Sequence, residues 1–172
     1  MRIVLRQDFF NRPTLKVASE LLGKFLVRNI GGKTIALMIT EVEAYTGHND
    51  MASHAARGKT PRNAPMFGEA GYWYVYFTYG MHWMLNIVTE KKDYPAAILI
   101  RGVSGISGPA RLTKFLHIDK KLNNHPASRE SGLWIEDRGV KISPRQISKS
   151  KRVGVDYAGV WKNKLWRLKI DF

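Results

Sequence analysis

Cysteine is absent from the 172 residues. Its absence excludes disulfides, thiolate zinc sites and cysteine nucleophiles together, and it fits a reducing compartment. No apolar run approaches the roughly 20 residues that cross a bilayer, so no membrane association is expected. The opening stretch Met1-Arg-Ile-Val-Leu-Arg-Gln-Asp8 lacks the long apolar core of a signal peptide. The expected location is intracellular, in the cytoplasm or nucleoid of a prokaryote. There is no Walker A sequence, no dinucleotide fingerprint and no G-x-S-x-G elbow. The zinc deaminase signature needs cysteines that the chain lacks. His48, Asp50 and His54 lie near one another in sequence. No HExxH helix or Cys/His zinc spacing accompanies them, so neither metal nor cofactor is expected.

Acidic residues are scarce as well. Lys plus Arg number 28 against 14 acids, a net charge of +14. Such an excess repels itself in a compact chain and usually has a partner. Nucleic acid is the commonest, because cations that neutralise phosphates release counterions. A ribosome-associated protein, an anionic-membrane binder or a merely soluble basic surface would share this charge. The hydrophobic fraction of 44% and aromatic fraction of 11% are those of a folded protein. The length suits one compact domain, and neither a repeat nor a linker divides it.

Periodicity gives a coarse outline. Thr14 is a good helix N-cap, Leu15, Val17, Ala18, Leu21 and Leu22 recur at helical spacing, and Gly23 ends the run. Strands are expected at Phe25 to Ile30 and at about Thr34 to Tyr45, joined through Gly31-Gly32 as a hairpin. Residues 46–71 read as a long loop, usually functional or disordered in a compact domain. A second hairpin joins Tyr72–Phe77 to Trp83–Val88 through the turn Thr78-Tyr79-Gly80. Ala96–Arg101 reads as a short strand and Pro109–Leu116 as a helix entered through Ser107-Gly108. That entry is either a phosphate seat or an ordinary helix start. Leu165, Leu168 and Ile170 suggest a final strand in a basic tail.

Two constellations could carry chemistry. Glu41 and Glu43, two apart on a strand, share a face, and Ile35, Leu37 and Ile39 are expected to continue that face. A carboxylate at such an edge is either a base with a raised pKa or a solvated, salt-bridged pair. The aromatic block Tyr72, Trp73, Tyr74, Tyr76, Phe77, Tyr79 and Trp83 is too dense for one buried face. Some rings should meet solvent or a ligand, and in a basic protein such rings suit stacking on bases. Tyr79, beside Gly80 at the turn, is the best wedge candidate.

These pieces occur in a fixed order. Glu41-Val-Glu-Ala-Tyr45, His54, Thr60-Pro-Arg-Asn63 and Met66-Phe67 come first. Tyr74-Val-Tyr76, Tyr79-Gly-Met81, Asn86-Ile87 and Leu99-Ile-Arg101 follow. Ser107-Gly-Pro109, Arg152-Val-Gly-Val155 and Tyr157-Ala-Gly159 close the series. The ordered set, from Phe9 to about Trp166, resembles the alkyladenine (3-methyladenine, or methylpurine) DNA glycosylase family. The resemblance implies a single mixed α/β (α+β) domain with a curved antiparallel sheet, flanked by helices, and a protruding DNA-inserting β-hairpin. It implies a monofunctional glycosylase of base excision repair, acting as a monomer on double-stranded DNA containing damaged purines. The lesions implied are 3-methyladenine, 7-methylguanine, hypoxanthine and ethenoadenine.

Carried over position by position, Glu43 matches the general base and Arg101 an arginine beside the active-site water and sugar. Tyr45, His54 and Tyr76 match the residues that sandwich the extruded base, and Asn86 the one that crowds the 2-amino group of guanine. Tyr79 matches the tyrosine that fills the emptied stack, with Met81 beside it. Arg57, Lys59, Arg62, Lys149, Lys151 and Arg152 are candidate phosphate contacts. The chain is a short version of the family, its loop Ala55-Ala-Arg-Gly-Lys59 is compact, and His82 stands where another aromatic is often found. Two rival readings remain at this level. One is a Mg²⁺-dependent nuclease or lyase using Glu41 and Glu43. The other is a non-catalytic basic nucleic-acid-binding module.

Overall fold

The computed structural model describes residues 1–172. In chain order its elements are β1 (Ile3–Val4), α1 (Gln7–Phe10), α2 (Thr14–Leu21), β2 (Phe25–Ile30), β3 (Lys33–Thr46), β4 (Trp73–Thr78) and β5 (His82–Val88). Then come β6 (Ala96–Val103), β7 (Ile106–Ser107), α3 (Pro109–Phe115), β8 (Leu133–Asp137), β9 (Ile147–Ser150) and β10 (Arg167–Ile170). The strands form one open, antiparallel sheet in the order β1-β8-β2-β3-β6-β5-β4, with β10 on β3, β9 on β10 and β7 on β6. The fold is mixed α/β with few helices. No helix is long and apolar enough to cross a membrane.

The fourteen residues of β3 are the spine. The first half pairs with β2. The second half is flanked by β6 on one side and β10 on the other. A core of 27 buried residues lies between the sheet and the helices. From α2 it takes Val17, Ala18 and Leu21, all fully buried, while Leu15 is 40% exposed and lies off that face. Thr14 is not the N-cap. Pro13 holds that position, and Thr14 is the first helical residue. Its N–H and hydroxyl both donate to Glu90, at 3.0 and 2.6 Å. The helix start is thus satisfied by a carboxylate 76 residues away in sequence.

The pairing of β3 with β6 contains two compensating irregularities. From Ile39 to Glu41, β3 advances two residues while β6 advances one; from Glu41 to Val42 the count reverses. Thr40 and Arg101 are the extra residues. A single extra residue turns every following side chain to the opposite face. Ile35, Leu37 and Ile39 pack into the core, and so do Val42 and Ala44. Glu41 and Glu43 do share a face, but not the one that carries Ile35, Leu37 and Ile39. Uninterrupted alternation would have buried both carboxylates in hydrocarbon; the bulge sends them to the other side.

The same alternation sorts the aromatic block. On β4, Trp73 and Val75 enter the main core, while Tyr74 and Tyr76 join a smaller cluster on the opposite face. The β4–β5 hairpin turns through Tyr79 and Gly80, both at positive φ (52° and 64°), and the Met81 N–H donates to the Thr78 carbonyl. Its tip is exposed, Tyr79 by 79% and Met81 by 66%. The long connection after β3 is ordered by two short 3₁₀ turns, His54–Arg57 and Ala64–Phe67. Buried Asn63 ties it together, donating to the carbonyls of His54 and Gly58 and accepting from the Thr60 N–H.

Ile98, fully buried on β6, sits at the centre of this core. Ile98→Ala should cost about 2–5 kcal/mol, the usual range for emptying such a position. A denaturant titration should show a lower midpoint with an unchanged slope.

Candidate active site

A cavity of about 300 Å³ opens on the face of the sheet opposite the main core. That is the lower end of the range for small-molecule pockets. Strands β3, β4, β5 and β6 supply its floor and one wall through Glu43, Tyr45, Tyr74, Tyr76, Asn86, Leu99 and Arg101. The long loop, chiefly through Ser53, His54 and Met66, Pro109 of α3 and the 153–157 segment supply the rest. Tyr79 of the hairpin tip stands at the mouth. Its hydroxyl leans over Gly154, 3.9 Å from where a Cβ on that residue would lie.

Glu43 is fully buried at the floor. Oε2 accepts from the Tyr45 hydroxyl at 2.7 Å, and Oε1 accepts from the Val153 N–H at 2.7 Å. Arg101 Nη1 lies 3.5 Å from Oε1. Burial pushes the Glu43 pKa up; Arg101 and the two hydrogen bonds offset this only in part. Burial and the neighbouring carboxylate push the Tyr45 hydroxyl well above its ordinary range, so it stays a donor. Arg101 Nε donates to Glu41 at 3.1 Å, and Arg167 Nε lies 3.5 Å from the same oxygen.

His54 and Tyr76 meet edge to face, their centroids 4.6 Å apart. A flat ring between two others needs about 7 Å, twice a carbon–carbon contact of about 3.5 Å. His54 and Tyr76 therefore form one wall together, and any flat ligand has to lie against that wall rather than within it. His54 Nδ1 shares a 3.0 Å hydrogen bond with the Tyr74 hydroxyl. Desolvation, and then the nearby Arg62, lower the His54 pKa, so its imidazole is neutral at pH 7. Asn86, 3% exposed, donates from Nδ2 to the Tyr74 carbonyl at 3.1 Å. No three His, Cys, Asp or Glu side chains converge as a metal site. Glu41 and Glu43 are already engaged by arginines, a hydroxyl and an amide.

A model of the methylpurine-DNA glycosylase family matches residues 8–107 and 104–171. The chain belongs to that family. A Methanocella arvoryzae relative is 43% identical over 184 residues, covering 95% of this chain and 90% of its own. Relatives from Legionella pneumophila strain Paris (99% and 95% covered) and Sodalis glossinidius (96% and 96%) are each 42% identical. All three bear the name "Putative 3-methyladenine DNA glycosylase". The chain is accordingly a DNA glycosylase of base excision repair.

In this glycosylase one expected phosphate contact is misplaced. Arg57, Lys59, Arg62, Lys149 and Lys151 are exposed, whereas Arg152 is buried. Its guanidinium forms a fully buried bidentate pair with Asp50, at 2.6 and 2.9 Å. It also donates to the Ala44 carbonyl at 2.9 Å. It lies between the rings of Tyr45 (4.7 Å) and Trp166 (5.0 Å). Neighbouring Lys149 and Lys151 made Arg152 look like part of a basic surface cluster. Its real task is to back Tyr45 and to hold the segment whose next residue, Val153, donates to Glu43.

Sequence reasoning gave Tyr74 no role beyond its place in the aromatic block, weighed Asp50 only beside His48 and His54 for a metal, and did not foresee the Val153 amide. Tyr74 was findable, since it shares a strand face with Tyr76. A backbone donor leaves no mark in the sequence. Arg152→Met leaves Asp50 buried without its partner and should cost about 3–5 kcal/mol in thermal unfolding. The salt dependence of duplex binding, measured below the melting range, should keep its slope, whereas losing a phosphate contact lowers it by about 0.9.

Proposed function

We propose that the glycosylase is a monomeric, monofunctional enzyme that extrudes alkylated or deaminated purines from duplex DNA and hydrolyses their N-glycosidic bonds. The observation that carries this reading is a desolvated carboxylate, Glu43, on the floor of an aromatic pocket whose mouth is an exposed, strained hairpin tip. A bulky residue at positive φ stores on the order of 1–3 kcal/mol, and such strain clusters at functional sites. Tyr79 and Met81 enter the minor groove, and the Tyr79 ring fills the gap left by the flipped nucleotide.

The extruded base lies between Tyr45 on one side and the His54–Tyr76 wall on the other. Electron-poor purines gain most from such rings, and cationic 3-methyladenine and 7-methylguanine gain further from their faces. The name borne by the relatives agrees with the first of these. Hypoxanthine and ethenoadenine leave less readily and depend more on the protein. Asn86 bars the 2-amino group of normal guanine. Exposed Arg57, Lys59, Arg62, Lys149 and Lys151 neutralise phosphates.

In the chemical step a water oxygen bonds to C1′ while the C1′–N bond breaks, and the electron pair leaves with the base. Glu43 takes the water proton, a contribution of roughly 10²–10⁴-fold. Arg101 faces the same region. No lysine lines the pocket. Without an amine nucleophile there is no Schiff base, and the product is an abasic site with the strand intact.

The deciding experiment is single-turnover excision in EDTA from duplexes bearing one lesion, with alkali added afterwards. Glu43→Gln should bind the lesion as the wild type does and release no base; normal release would remove Glu43 from the mechanism. The Glu43 pKa is raised and its ionised form is the active one. Wild-type excision should therefore fall with acidification at a pH above a carboxyl's usual 4.5. Tyr79→Ala should weaken lesion capture by about 1–3 kcal/mol, the worth of one stacked ring. A 2-aminopurine probe beside the lesion should then report less flipping; an unchanged signal would rule out the wedge.

A further inference from the structure

Glu41 is the charged residue of the site that the mechanism leaves unused. It is 7% exposed and does not line the pocket. Its Oε1 accepts from Arg101 Nε, while Arg101 Nη1 points at Glu43. One guanidinium thus spans two carboxylates. The contact with Glu41 is a hydrogen bond of 3.1 Å; the approach to Glu43 stops at 3.5 Å. A closed arginine–carboxylate pair would sit at about 2.7–2.9 Å, and its planar fork favours two parallel bonds. Arg101 is therefore close enough to act on Glu43 through charge but does not occupy its lone pairs. The extra residue of β6 is Arg101 itself, and Glu41 is the residue flanked by the two irregularities, so the local backbone exists in the form that allows this bridge.

We propose that Glu41 is a positioning residue, which holds Arg101 by its Nε so that Glu43 keeps a free lone pair for the proton of the attacking water. With Glu41 gone, Arg101 closes onto Glu43 and the base is spent on an ion pair. The inference rests on the glycosylase reading above.

The groups around Glu43 set the direction of each test. They are Tyr45 on its own strand, Arg101 on β6, Arg167 on β10, Tyr76 on β4 and the Val153 amide beyond β9. Glu41→Gln removes a negative charge from this group and frees a cation to approach. The acid limb of the excision–pH profile should move down by about one unit. The plateau above that limb should drop about 10- to 100-fold, the cost known for losing a partner that orients a metal-binding side chain. Lesion binding should change far less than excision, since Tyr45, His54 and Tyr76 are untouched.

Arg167→Gln removes a cation and leaves the Glu41–Arg101 bond in place, so its acid limb should move up. Opposite shifts together with a lowered Glu41→Gln plateau support the role; opposite shifts with a wild-type plateau are the charge change alone and overturn it. A general loosening of the site would move both limbs the same way or neither, and either result with an active wild type overturns it. If Glu41→Gln does not fold, Glu41→Asp keeps the charge but falls short of Arg101, and its plateau should drop likewise; a wild-type plateau in that variant overturns the role too. A wild type inert on methylated duplex would instead sink the glycosylase reading.

Discussion

A carboxyl group held away from water is the constraint on which the rest of the molecule turns. Glu43 is shut off from solvent in a pocket lined largely by rings, and desolvation raises the energy of its charged form. Each polar contact around it answers that cost from a different part of the chain. The Tyr45 hydroxyl comes from the same strand, Arg101 from the next, and the Val153 amide from a segment more than a hundred residues later. These contacts are insufficient to return the carboxyl to its ordinary acidity. A carboxylate with every lone pair engaged would have little affinity left for a proton. The site is kept slightly hungry, and the hydrocarbon beneath it is what keeps it so.

The second arrangement is mechanical. Tyr45 has Arg152 on one face and the pocket on the other. Arg152 is fixed by Asp50, whose carboxylate also accepts from the amides of Thr46 and Ala52. The buried pair therefore fastens the start of the long loop, the tyrosine platform and the segment that carries the Val153 amide. An isolated buried ion pair seldom adds stability over a hydrophobic equivalent. Here its contribution is orientation, because it joins three pieces of backbone that the sheet alone does not join.

Much of the fold was legible because periodicity reports burial. The ends of β2 matched their sequence pattern, and β4, β5 and the last strand lay within a residue or two of it. Tyr79 was legible because a ring beside glycine at a turn has nowhere to pack. What alternation could not reveal were its own interruptions. Nothing in Ile39-Thr-Glu41 announces an extra residue, so Glu41 and Glu43 were assigned to the face of Ile35, Leu37 and Ile39. Arg152 was hidden for a different reason: a cation between lysines looks like surface, and only an acid 102 residues away shows otherwise. Thr14 fits the same pattern, having the right chemistry for a cap while its true partner, Glu90, lay far along the chain.

That separation has a consequence for how the enzyme comes into being. The pocket draws on residues from Glu43 to Tyr157, and the pair that closes it joins the first third of the chain to the last sixth. Contacts of such long range form late and slow the folding of sheets. A chain that stops short of Arg152 lacks the Val153 amide, the arginine behind Tyr45 and the 153–157 wall. The pocket is whole only when the last sixth of the chain has come home onto the first third.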